Sequence, residues 1–187
     1  MFRFLVRFLV REDRAGTLAR RRGEPRMPRV IEAMGPLRGG QTLADVPESV
    51  AAAFRGRCAA PASLGPGVEL DRALTAVVSR VRSDFWMLGE DTDAAAAACA
   101  ANGTSLRDYL RARCAILEGW NPNMDQLVRV RLLRRVHAMV GACAPQAERR
   151  GNGRGAPFAY IGGHRQVYCP GLNEGEHYRV VRRFELR

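Results

Sequence analysis

Near the C-terminal end, His164, Cys169 and His177 fall within fourteen residues. Imidazole and thiolate suit zinc, but these spacings match no common finger and a fourth ligand is missing. The expectation is therefore no metal site and no cofactor. His137 stands beside Arg134 and Arg135 in a segment that reads as helix, where a surface histidine is the plain reading. Neither a Walker loop nor a G-x-G-x-x-G stretch occurs, which removes nucleotide binding of those kinds.

Arginine offers a second chemistry. The chain has 187 residues and a formal net charge of +11, and every cation in its Lys+Arg count of 30 is arginine. Guanidinium grips phosphate and carboxylate through a planar pair of donors and stacks on bases. The charge is uneven. Residues 1–30 carry +6 and residues 146–187 carry +4, leaving +1 for the stretch between. Arg20, Arg21 and Arg22 form one basic run, and Arg149, Arg150 and Arg154 lie among glycines in another. Such segments track a phosphate backbone and release counterions. Tyr160, Tyr168 and Tyr178, alternating with His164, Arg165 and Arg179, are candidates to stack on unpaired bases.

A third set is Arg165 with Glu174, Glu176, His177 and Tyr178. A His-Tyr pair opening a final strand, after helices and a hairpin, resembles the ends of the barnase-like microbial ribonucleases. The resemblance covers about 20 residues. It implies His177 as the acid that protonates the leaving oxygen, Arg165 as phosphate binder and Tyr178 as a substrate contact. Where that family carries a strand glutamate as base, Phe158 to Ile161 offers no acid, so Glu174 or Glu176 has to substitute.

The elements that must position these residues are read from periodicity. Arg3-Phe4-Leu5-Val6 repeats as Arg7-Phe8-Leu9-Val10, an interfacial helix, a strand, or an over-called start upstream of Met27. Five helices follow in the reading. The first runs from Pro47 to Gly56. The second carries Leu70, Leu74, Val77, Val78, Val81, Phe85 and Leu88 at helical spacing, and the third is the alanine run before Asn102-Gly103. A fourth starts at Ser105 and stops at Gly119, and the fifth carries Met124 through Cys143 to Pro145. Phe158–Ile161 and His164–Cys169 read as a hairpin about Gly162-Gly163, and Tyr178–Leu186 as a last strand.

The expected fold is α+β: a bundle-like core of four to five helices, then a small antiparallel meander. The divisions are a basic arm at 1–30, a helical core at 43–144 and a meander at 156–187, packed as one domain. Five cysteines without a C-x-x-C pair read as core thiols of a reducing, intracellular compartment. Neither a signal peptide nor an 18-residue apolar span is found in the sequence. The leading function is nucleic-acid (RNA or DNA) binding by basic arms on a core able to self-associate, more a binder than an enzyme. The alternatives are a small metal-independent ribonuclease or toxin-like enzyme using the C-terminal sheet, and an effector or scaffold whose N-terminal segment engages a partner or an anionic membrane.

Overall fold

A computed structural model describes residues 34–75, 81, 83–118, 121, 123–149 and 157–186. Its centre is a seven-stranded sheet whose described strand pairs are all antiparallel. In chain order the strands are β1 (Ala60–Leu64), β2 (Glu69–Leu74), β3 (Phe85–Leu88), β4 (Gln126–Leu132), β5 (Val136–Ala142), β8 (Arg165–Tyr168) and β9 (Tyr178–Glu185). Across the sheet they lie β1-β5-β8-β3-β2-β4-β9, and β6 (Gln146–Arg149) pairs separately with β7 (Pro157–Tyr160). Three α-helices accompany them: α1 (Glu48–Ala51), α2 (Gly89–Ala101) and α3 (Leu106–Arg113).

The helical core is thus overturned. The second and fifth expected helices are strands: β2 and β3 lie where the Leu70–Leu88 pattern was read, and β4 and β5 replace the Met124–Cys143 helix. The reason is burial on both faces. A strand covered on one side only alternates apolar with polar, whereas Leu127, Val128, Val130 and Leu132 of β4 are all buried. A continuous apolar run satisfies helical spacing by accident. The β-branched content and the alternation of Arg129 and Arg131 were the overlooked strand signals. Helices do form at 48–51, 89–101 and 106–113. Ser105 caps α3 by accepting from the Asp108 amide.

The expected hairpin about Gly162-Gly163 is also corrected. Both glycines have positive φ, as a tight turn requires, yet the flanking strands part company. β7 pairs with β6, while β8 inserts between β5 and β3. The repeat at residues 3–10 lies outside the described residues.

The sheet is bent so that one face closes on itself. Leu70, Trp86, Val128, Val136, Val167 and Tyr178, drawn from six strands, form one buried cluster. Trp86 and Tyr178 meet edge-on at 5.6 Å, worth about 1 kcal/mol beyond their burial. The outer face has two covers. Val50 and Phe54 pack on Phe85, Met139 and Tyr168, while Leu110 and Ile116 pack on Ala73, Met87 and Leu127.

Candidate functional site

Strand alternation places Leu70, Arg72 and Leu74 on one face of β2, and Leu70 and Leu74 belong to the inner cluster. Arg72 therefore projects from the apolar, inward face, opposite Val128 of β4. Its NH1 donates to the Phe85 carbonyl at 3.1 Å, an oxygen that also accepts the Ser83 hydroxyl. Its Nε is buried with no hydrogen-bond partner. Burial pulls its pKa down to about 10, opposed by the nearby Asp84 carboxylate, so the group still carries its charge at neutral pH. An unmet buried donor on a charged group costs about 1–3 kcal/mol or more, which folding alone gives no reason to bear.

A recess of about 30 Å³ lies on the outer face of the sheet, lined by Asp71, Ala73, Phe85, Met87, Ile116 and Gln166, and the Arg72 side chain leaves β2 on the other face. That space holds a water or two, or the oxygens of one anionic group, and falls well short of a whole drug-sized ligand. The Gln166 amide donates to the Ala53 carbonyl at 2.7 Å, and its oxygen accepts the Cys143 thiol at 3.2 Å. Cys114 donates to the Met87 sulfur at 3.4 Å. Burial, with the neighbouring Cys143, pushes the Cys114 thiol well up, so it is protonated and a poor nucleophile as it stands. Burial likewise pushes Cys169 to about 12. All five cysteines are free.

On the opposite face of β2, Asp71 is fully buried and takes a two-pronged bond from Arg129, at 2.9 and 2.8 Å. Arg129 also binds Asp93 and the Gly89 carbonyl at the start of α2, tying helix to sheet. Those bonds hold its guanidinium charged and drop the Asp93 carboxyl below its usual range. The network is structural.

The residues singled out in the sequence fall elsewhere. His177 is buried, its Nδ1 3.2 Å from the Asn173 amide and its Nε2 2.8 Å from Arg134, which also pairs with Glu176. A general acid has to aim an N–H at substrate, and His177 is 3% exposed with protein groups set against both ring nitrogens, so neither faces solvent. Arg165 grips Asp91 with two bonds of 2.7 and 2.6 Å and adds Glu90 at 3.0 Å, so a phosphate has two carboxylates to displace. No described hydrogen bond or ion pair joins Arg165 to His177. Tyr160, Tyr168 and Tyr178 are 3%, 1% and 1% exposed, leaving no ring face for a base. The Tyr178 hydroxyl donates to the Val81 carbonyl and that of Tyr168 to the Met34 sulfur. Arg165 and Arg179 are the exposed members of the sheet set, and Arg149 lies in β6. Arg20, Arg21, Arg22, Arg150 and Arg154 lie outside the described residues. The three tyrosines expected to stack on bases are thus in the core, and Arg165 is held by carboxylates.

Among the described residues no three of His, Cys, Asp and Glu cluster as metal ligands, and His164, Cys169 and His177 make no such group. No helix there is long and apolar enough to cross a membrane. Arg72 was not singled out because its segment was read as a helix; a lone arginine between Leu70 and Leu74 points inward once the segment is a strand.

No family model and no curated protein matches the chain. Two solved structures are similar in part. A chain in "Structure of Tne2 in complex with Tni2" is 13% identical with a TM-score of 0.42, over 69% of this chain and 92% of its own. One in "Rhs1-CT in complex with cognate immunity protein RhsI1" is 18% identical with a TM-score of 0.39, over 68% and 81%. Both scores lie below 0.5, so the likeness establishes no common fold.

Proposed function

We propose that the chain is a small enzyme acting on a phosphate-bearing molecule of low molecular mass, whose anionic group is bound by Arg72. The observation that carries this reading is the half-buried Arg72 on the inward, apolar face of β2, whose buried Nε has no hydrogen-bond partner. A protein that only needed to fold would place leucine or methionine there, because a charge in an apolar cluster is tolerated when it has something to bind. An oxyanion supplies the missing acceptor and neutralises the charge. Of the alternatives weighed from the sequence, this keeps the enzyme built on the C-terminal sheet, since β3, whose Phe85 carbonyl Arg72 binds, pairs with β8. It moves the centre away from His177. Ser83, which shares the Phe85 carbonyl with Arg72, and Asp84, close enough to act on its charge, are the polar groups placed to meet the substrate.

The test is calorimetric titration with a panel of sugar phosphates, nucleotides, dinucleotides and simple carboxylates, each followed by chromatography for turnover. Saturable binding to a phosphate-bearing member, weakened on the order of a hundredfold in Arg72→Met, is the expected result. Undiminished binding by that variant, or none by the native chain, refutes the reading.

A further inference from the structure

His164 carries the second buried polar atom without a partner, its Nε2, and is 6% exposed. It sits just after Gly162-Gly163, in a loop pinned to the end of α3. The Gly162 amide donates to the Ala112 carbonyl at 3.0 Å and the His164 amide to the Arg113 carbonyl at 2.9 Å. Open carbonyls at a helix C-terminus repel anions, and these bonds close two of them. The Tyr109 hydroxyl lies 3.5 Å from Nδ1, and its ring stands edge-on to the imidazole at 5.9 Å. In the tautomer that this contact favours, the ring proton is on Nε2, a buried donor with no acceptor.

Two guanidiniums converge at the same loop. A Cβ on Gly163 would stand 3.2 Å from an Arg55 nitrogen and 3.7 Å from an Arg113 nitrogen, so these cations are no more than about 7 Å apart. Arg55 donates to the Ile161 carbonyl, and neither arginine has a carboxylate partner among the described residues. The acids closest in the fold, Asp91 and Glu90, are held by Arg165. Like charges brought this close, beside a buried N–H without an acceptor, form a site lacking its anion.

We propose that Arg55, Arg113 and His164 form a binding site for a tetrahedral oxyanion, the phosphoryl group of a small molecule, separate from the Arg72 site and not dependent on that reading. The two arginines supply charge and forked donors, and His164, the residue after Gly163, supplies its ring N–H.

Inorganic phosphate is the probe, titrated into the full chain by calorimetry against chloride at matched ionic strength. The native chain binds, Arg113→Gln and Arg55→Gln each weaken binding on the order of tenfold, and Arg72→Met leaves this site intact. The proposal is overturned if the native chain shows no binding beyond the chloride control, if both glutamine variants bind like native protein, or if Arg72→Met alone abolishes binding. Should the variants not fold, the imidazole signals of His164 in the native chain decide: a saturable shift with phosphate supports the site, and unmoved signals overturn it.

Discussion

Replacing Arg72 by methionine is expected to make the folded chain more stable while emptying its site. In the fold Arg72 has lost more than two powers of ten in proton affinity, to about 10. Each power of ten is about 1.4 kcal/mol, so holding the charge in place costs the native state roughly 3 kcal/mol. The sign follows from the direction of the shift. Below about pH 10 both folded and unfolded chains keep the proton and the penalty is fully present. It is relieved only as pH rises toward the higher pKa of the unfolded chain. Methionine removes the charge, keeps most of the apolar stem and gives up the bond from NH1 to the Phe85 carbonyl, worth about 1.5–3 kcal/mol to a charged donor. That carbonyl keeps its bond from Ser83. The net is about 1 kcal/mol of stabilisation, or a Tm higher by roughly 2–4 °C for a chain of this size. Scanning calorimetry at neutral pH measures it. A Tm that falls by several degrees would mean that Arg72 is a structural cation, and the reasoning that makes it a ligand group would fail.

Other perturbations follow from the same geometry. Asp71→Ala strands the Arg129 guanidinium against β2 and is expected to cost about 3–5 kcal/mol, whereas Arg165→Ala, at a half-exposed pair, costs under about 1 kcal/mol; equal losses in urea melts would contradict the assigned burial. Gly141→Ala drives a Cβ to 2.6 Å from the Cys58 carbonyl and 2.8 Å from Phe54, and a loss of about 1–3 kcal/mol is expected; an unchanged midpoint would show that β1 and β5 are not packed as described. In thiol titration Cys58, the one exposed cysteine, reacts first and the buried three, Cys99, Cys143 and Cys169, react only on unfolding; rapid labelling of Cys169 would refute its place in the core. Single-stranded RNA stays uncut by the native chain at neutral pH, while cleavage that His177→Ala abolishes would restore the ribonuclease alternative.

What could be read ahead of the structure tracks how local its causes are. Ser105 and Asp108 announce the start of α3, and Asn102-Gly103 the end of α2, because caps and left-handed turns are settled by a few adjacent residues. The last strand, with Arg179, Arg182 and Arg183 exposed, lies on the sheet edge and shows the half-exposed character that sequence reveals. β2 and β3 were hard to read as strands since most of their residues are buried on both faces, and whether such a run is helix or strand depends on partners far along the chain. The Arg165–Asp91 pair spans 74 residues, so Arg165 read as a free phosphate ligand. Arg72 was hidden for the same reason: only the strand's facing turns an ordinary arginine into a buried cation.

The most direct measurement is the Nε–H resonance of Arg72 in an ¹⁵N–¹H spectrum, shielded from solvent and identifiable by its absence in Arg72→Met. On titration with the phosphate-bearing molecule that binds tightest, the account predicts a saturable shift of this signal, with the same dissociation constant as calorimetry. A signal that stays in place while binding saturates would contradict it.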